Sequence, residues 1–538
     1  VATVVTPLLD PSASSARVLP RPAKRRSEFW LFVGVFVAGA LLRSWDVGRP
    51  VDRADWRECD VSAIARNFCR EGMNPLYPRI DWRGDGPGYA EMELPLLPWT
   101  MAVFYKVFGL HEPIGRVLCL AAGLLALLVF MRMARDLLDP RAALAACLFF
   151  AFSPLAVRQA TALQPDGWMF AIGLLGVHRF LRWLRTDSWS DYCLSMVATS
   201  LAILAKAPAA YVGLLFASLL LWQRGLVALR DWRTWLFALV ALLPGVAWYL
   251  HARQLYEVYG NSLGLSNEQH WADWECLTRP AYLKGLLRLQ LTDVWMPAGM
   301  IVALAGAAFQ RRQPAVTVSI LWLMAIGIYL LAAIRTTSAD WAYYYHVVSV
   351  PPVALLFGLG VSMLWSQATA VRQRRGLRAA GPAVAFALIL VLGFVTYVQE
   401  LLWIRQFMRT NDGPSAYCVS ARELSTFMVP RELVVASGGP SQVNGHQAAY
   451  NASYFFYWLD VTGFNIASDR QSIEQLEEFR QHGARYFIAE KEKLKLADGF
   501  ERELRRTYPL LGETDTVLLF ELRPRKDTSP PRDREAPT

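Results

Sequence analysis

Histidine and cysteine are scarce in this chain, seven of each among 538 residues, and nowhere do they fall at the paired spacings that a zinc site requires. There is no GxxxxGK[ST] loop and no GxGxxG turn following a strand, so nothing supplies a backbone cradle for nucleotide phosphates, and no nucleotide cofactor is expected. An internal repeat is also missing. That absence argues against a transporter assembled from paired halves.

What the chain has in quantity is apolar length. It is 54% hydrophobic with a mean hydropathy of +0.24, and it contains repeated apolar runs of about 18 to 20 residues, the length that crosses a bilayer as a helix. A net charge of +10 would point to nucleic acid in a soluble protein. Here the arginines lie in short connections between apolar runs, where they set orientation, so the bilayer is the expected partner and nucleic acid is not. Tryptophans near the run ends (Trp30, Trp45, Trp99, Trp189, Trp235, Trp248, Trp295, Trp341) suit the headgroup level, with an apolar body and one polar N–H.

Residues 1–28 are rich in Pro, Ser, Ala and basic side chains, end in KRRSE, and are expected to be a disordered cytoplasmic tail. A membrane domain is expected over 29–404. Its first span, Phe29 to Trp45, runs outward, and the basic connection at 131–141 brings the span Ile114 to Phe130 back in. Residues 46–113 then form one large external loop. Within it, Leu94 to Phe108 is apolar but short, and reads as a helix in or dipping into the outer interface. Further spans are expected at 142–156, 167–183, 192–204, 209–222, 235–250, 292–309, 316–334, 347–364 and 382–402, about eleven in all. This order gathers the first loop, Asp166, Lys206, the YYYH segment at 343–346 and the C-terminal region on one side.

Over 405–523 the composition becomes that of a soluble domain. ELVVAS, ARYFIAE and DTVLLFEL read as buried strands, while SIEQLEEFRQHG, closed by Gly483, and DGFERELRRTY read as amphipathic helices. Strands alternating with helices predict a small extracytoplasmic α/β domain, followed by a disordered end at 524–538. The fold class expected is therefore an α-helical polytopic membrane protein with a C-terminal α/β domain.

The stretch from Asp52 to Trp99 holds Asp52, Asp55, Glu58, Asp60, Asp81, Asp85, Glu91 and Glu93 among arginines and tryptophans beside a membrane, which marks it as a candidate site. The motifs WRECDVSAIARNF, YPRIDWRGDGPGYAEMELPLLPW, QPDGWMF, LAKAP and YYYHVVSVPP follow in order between about Phe29 and Leu364. In this combination the chain resembles the bacterial family 39 glycosyltransferases of the GT-C fold, relatives of protein mannosyltransferases and aminoarabinose transferases. The resemblance implies a multi-pass enzyme of the bacterial plasma (inner) membrane. Such an enzyme takes a sugar from a polyprenyl-phosphate donor lipid and transfers it on the outer side to a lipid, glycan or protein acceptor, using acidic residues of the first external loop.

Such a transfer needs a carboxylate as general base or orienter opposite a leaving phosphate held by cations. Asp60, Asp55 and Asp166 are the candidate carboxylates. Each also has a plainer reading: Asp166 and Asp60 as helix caps, Asp55 and Asp60 as solvated loop charge. Two departures from the family pattern bear on the assignment. Where better-known relatives carry an Asp-Glu pair before the IAR helix, this chain has Arg57 and Glu58, so Glu58 joins the candidates. Glu93 stands where aminoarabinose-type relatives have a lysine before the PPL segment, and it is expected to bind the sugar, an acceptor or a metal rather than a phosphate. Arg57, Arg83, Lys206, Tyr345 and His346 are the side chains nominated to hold the phosphate. For two of the three tyrosines at 343–345 an interfacial belt is the favoured reading. A divalent cation stays open, since the acidic loop could bind Mg²⁺ or Mn²⁺ or be neutralised by its own arginines. The rival readings are a transporter of polar solutes and a sensor or scaffold built on the external domain.

Cys119, Cys147 and Cys193 fall within expected spans and read as packing residues, whereas Cys59, Cys69, Cys276 and Cys418 fall on the expected outer side. Four cysteines allow three pairings, of which Cys59 with Cys69 is favoured because it would restrain the acidic loop. A bridge there requires a bend in the VSAIARNF helix.

Overall fold

A computed structural model of the chain describes residues 22–375, apart from 266–270 and 273, and residues 414–523, apart from 444–445, 448–450 and 497–498. The span expected at 382–402 and the C-terminal end at 524–538 lie outside the described residues. So does the tail up to residue 21.

The membrane part opens with α1 (Pro22–Ser44), so helix begins inside the segment expected to be a disordered tail. The reason is local: Ala, Lys and Arg are good helix formers and proline is tolerated in a first turn. It continues with α2 (Trp56–Glu71), α3 (Leu96–Phe108), α4 (Pro113–Leu137), α5 (Pro140–Phe152), α6 (Pro154–Gln159), α7 (Pro165–Thr186), α8 (Trp189–Ala205), α9 (Tyr211–Arg224) and α10 (Trp232–Tyr259). Proline opens α4, α5, α6 and α7, where its missing N–H costs nothing and its fixed φ is already helical.

Among the described residues, five helical segments are long and apolar enough to cross a membrane: Pro113–Leu137, Ala207–Arg230, Trp232–Tyr259, Pro314–Ala332 and Asp340–Gln367. A sixth, Pro280–Trp295 with Pro297–Phe309, is bent by 85°. This last one corrects the uninterrupted span expected at 292–309. The chain turns at Met296, which adopts φ +53°, and Pro297 cannot extend the preceding hydrogen-bond ladder. The run expected at 142–156 is likewise split, because Ser153 caps α6 and Pro154 starts it.

Helices in this bundle approach through small residues. A Cβ on Gly360 would lie 2.0 Å from the Val302 carbonyl oxygen, one on Gly306 would lie 2.4 Å from that of Leu356, and one on Gly358 would lie 2.3 Å from that of Ala142. Backbone-to-backbone contact of this kind is what small residues permit between spans.

The C-terminal unit is a five-stranded sheet of β1 (Leu433–Ser437), β2 (Gly463–Ile466), β3 (Ala484–Glu490), β4 (Leu510–Glu513) and β5 (Val517–Glu521), in the order β2-β1-β3-β5-β4. β1 is parallel to β2 and to β3, whereas β5 is antiparallel to β3 and to β4. Strands β1, β3 and β5 are the three read from sequence. β2 escapes such a reading because Gly and Asn interrupt its short apolar run.

This unit sits on the first loop. Gly463 N–H donates to the Asp81 carbonyl at 3.1 Å while Gly84 N–H donates to the Gly463 carbonyl at 2.6 Å. Trp458 Nε1 donates to the Val51 carbonyl at 2.9 Å, and Asp460 pairs with Arg66 and Arg70. α2 is thereby held between the bundle and the α/β unit. It runs unbroken from Trp56 to Glu71, so Cys59 and Cys69 lie about 15 Å apart along one helix. The favoured disulfide is excluded by this geometry, and both thiols are free.

Candidate active site

The site begins at the start of α2. Asp55 is its N-cap: one carboxylate oxygen, Oδ1, accepts from the backbone N–H groups of Arg57 at 3.0 Å and Glu58 at 3.2 Å. Burial pushes the Asp55 carboxyl above the usual range, with the neighbouring Glu58 charge acting the same way. The next turn splits its charged residues by direction. Arg57 forms an ion pair with Glu93, which closes the first loop. Glu58 points the other way, taking two hydrogen bonds from Arg116 at 3.2 and 2.9 Å and one from the Leu163 N–H at 3.1 Å. Burial raises the Glu58 pKa, but Arg116 and Arg49 outweigh it and hold the carboxylate below its ordinary value. Arg116, an arginine inside an apolar helix, is therefore the counterion of Glu58 and also ties down the carbonyls of Arg49, Pro50 and Thr161.

Asp60 lies one turn beyond Arg57 and is 1% exposed. Its Oδ1 accepts from Trp82 Nε1 at 2.9 Å, and its Oδ2 is buried with no hydrogen-bond partner. Burial raises its pKa to about 7, against the Trp82 N–H and the Arg57 charge, which lower it.

The second half of the site comes from the bundle. Asp166 is in the first turn of α7 but is not its cap, a position that Gln164 occupies. Lys206, just past α8, donates to both Asp166 oxygens at 2.8 and 2.7 Å. Its ammonium also rests on the rings of Tyr345 at 4.6 Å and Tyr344 at 5.1 Å. Arg158 of α6 lies over the Tyr343 ring at 3.7 Å.

Some of these groups line a cavity of about 570 Å³. Arg49, Arg53, Asp55, Arg57, Glu58, Arg158, Gln164, Tyr343 and Tyr344 line its polar part, and Leu42, Trp45 and Trp341 its apolar edge. Trp45 and Trp341 are 74% and 58% exposed, so the apolar edge is open to the surroundings of the bundle.

The nominated residues thus separate into three groups. Asp55, Arg57 and Glu58 line the cavity, and Glu93, Asp60, Asp166, Lys206 and Tyr345 stand behind that wall. Arg83 and His346 are elsewhere. Arg83 pairs with Glu71 at 2.7 Å near the α/β unit, and His346 is wholly buried between Gln290 and the Thr337 carbonyl, so neither holds a ligand in this cavity. Sequence reasoning missed Arg53, Arg158 and Gln164. Arg158 carried a usable signal, since the topology expected from sequence puts its turn on the side that the charge bias depletes of arginine. Among the described residues no group of three His, Cys, Asp or Glu side chains converges as a metal cage, and Glu93, Glu58 and Asp166 are matched by Arg57, Arg116 and Lys206.

Comparison with curated proteins gave no match. The family described as dolichyl-phosphate-mannose-protein mannosyltransferase matches residues 87–250. Among solved structures, the chain is similar to apo ArnT from Cupriavidus metallidurans, at 16% identity over 91% of this chain and 97% of that one, with a TM-score of 0.58. The same protein bound to undecaprenyl phosphate matches at 16% identity over the same shares, with a TM-score of 0.57. The oligosaccharyltransferase of Archaeoglobus fulgidus in its apo form matches at 13% identity over 89% of this chain and 72% of that one, with a TM-score of 0.54. The fold is that of the GT-C proteins: a multi-pass helical membrane domain with a C-terminal α/β unit.

Proposed function

We propose that the protein is a membrane glycosyltransferase that moves a sugar from a polyprenyl-phosphate-linked donor to a lipid, glycan or protein acceptor. The reaction takes place on the extracytoplasmic face of a bacterial plasma membrane. The observation that carries this reading is the cavity in which the Asp55 carboxylate shares a wall with Arg53, Arg57 and Arg158, next to the exposed apolar edge of Leu42, Trp45 and Trp341. A ligand with an anionic head and a long apolar tail fits that division of surface.

The base in this reading is Asp55. One of its oxygens holds the start of α2, which fixes the carboxylate, and the second is left to accept the acceptor's proton. A carboxyl raised above its usual pKa is better matched to that task than an ordinary one. The acceptor oxygen then bonds to the anomeric carbon as the bond from that carbon to the phosphate oxygen breaks. The electron pair leaves with the polyprenyl phosphate, and the charge gained there falls beside guanidinium groups that are already in place. Arg158, flat against Tyr343, has little freedom left to lose when it meets a phosphate.

The test uses the purified full chain in liposomes carrying a polyprenyl-phosphate-linked radiolabelled sugar and a crude acceptor fraction. Wild type yields labelled product, and Asp55→Asn, which keeps the capping oxygen, lowers the rate by about 100-fold or more. Solute flux across the liposome wall without sugar transfer would sink the proposal in favour of a transporter.

A further inference from the structure

The Asp60 side chain is a buried acid with one occupied and one empty oxygen. Trp82 donates to Oδ1 at 2.9 Å, while Oδ2 has no partner and the residue is 1% exposed. It does not line the cavity, so it cannot touch a substrate there. Arg57 does line the cavity, and it lies one helical turn away on the same face of α2, within electrostatic reach of Asp60. Arg57 therefore has Glu93 and Asp60 behind it and the cavity in front.

We infer that Asp60 is a proton-linked positioning residue: by carrying or losing one charge behind Arg57, it sets how strongly that guanidinium attracts an anionic headgroup in the cavity. Protonated, Asp60 leaves Glu93 and the Lys206-paired Asp166 as the carboxylates acting on Arg57. Ionised, it adds a further negative charge in a poorly solvated place, and the field reaching the cavity falls. No other reactant is needed, since the proton exchanges with water.

The other ionisable groups around Asp60 have partners of their own. On its own helix, the Cys59 thiol is held well above its ordinary value by burial and stays neutral, while Asp55 is tied to two backbone N–H groups. Asp81, facing it from the loop, is taken by Arg66 at 2.6 Å and Asn67 at 2.8 Å. Glu93 is taken by Arg57, and Asp166 by Lys206. Burial places the Asp60 pKa at about 7.

The inference rests on the donor reading above, and its test separates the two. The probe is a short-chain prenyl phosphodiester, whose single charge does not change between pH 5.5 and 8.5, bound to the purified full chain in detergent. Wild-type affinity falls about tenfold as pH rises through that range, the size expected for one nearby charge. In Asp60→Asn the affinity stays flat near the low-pH value. Trp82→Phe, which removes the hydrogen bond favouring the ionised form, moves the midpoint to higher pH. An Asp60→Asn variant with the wild-type pH profile overturns the inference. A second readout needs no ligand. Because the folded pKa is raised, Asp60 favours folding below its unfolded value near 4, and that advantage is lost as pH rises towards 7. Wild type thus loses thermal stability over this window relative to Asp60→Asn. Equal pH dependence of the two overturns the inference, whereas a stability difference without probe binding at any pH overturns the donor reading and leaves Asp60 as the titrating group.

Discussion

Arg57 and Glu93, separated by 36 positions, form one ion pair, with side chains only 12% and 6% exposed. Each was noted in the sequence as a departure from the family pattern: a cation where relatives have an acid, and an acid where aminoarabinose-type relatives have a lysine. In this chain the two departures meet in one contact.

Removing one partner should be worse than removing both. Glu93→Gln leaves a largely buried guanidinium short of its counterion and should cost about 3 kcal/mol or more, whereas the Arg57→Gln/Glu93→Gln double variant should recover part of that loss. Thermal unfolding of the purified proteins in detergent gives the comparison. Additive losses would mean that the pair contributes nothing as a pair.

The contact between Lys206 and Tyr345 is to the ring face, at 4.6 Å, so the phenol hydroxyl is not what holds the ammonium. Tyr345→Phe is expected to keep activity and stability within about 0.5 kcal/mol, and Tyr345→Leu to lose about 1 kcal/mol or more. The reverse order in a thermal-shift and transfer assay would assign the role to the hydroxyl.

Gly463 is a position where only glycine fits. Its φ is +154°, and a Cβ would fall 1.9 Å from the Val434 carbonyl oxygen, at the point where the first loop hydrogen-bonds to the α/β unit. Gly463→Ala should loosen that docking, lower the melting temperature by several degrees and expose residues 81–85 to protease. Unchanged proteolysis would show that the loop is held by its other contacts.

None of the seven cysteines, all among the described residues, is in a disulfide. Peptide mapping of unreduced protein, denatured and alkylated, should recover Cys59 and Cys69 as separate alkylated residues. A cross-linked peptide would contradict an unbroken α2.

Sidedness has its own measurement. A cysteine at Gly86, exposed in the first loop, should react with a membrane-impermeant thiol reagent in intact spheroplasts. Reaction only after permeabilisation would place the cavity on the cytoplasmic side.

The sequence by itself determined the class of molecule, most helical segments, the α/β nature of the C-terminal unit and the loop that carries the site. Apolar run length, charge bias and strand or helix periodicity are local quantities, readable over a window of neighbours. They already placed Asp55, Arg57 and Glu58 beside the membrane and Asp166 with Lys206 at one end of the bundle. Only tertiary structure decided which of these charges are spent on one another. Glu58 is neutralised by Arg116 from α4 and Arg57 by Glu93, while His346 is buried in a polar contact with Gln290. Asp60 looks like its neighbours in a row of letters, yet it is enclosed with one oxygen unpartnered, and Arg158, from a distant turn, completes the cavity wall. Pairing and burial arise from contacts between residues tens to hundreds of positions apart, and in a poorly solvated site they set the energy of each charge more than its type does.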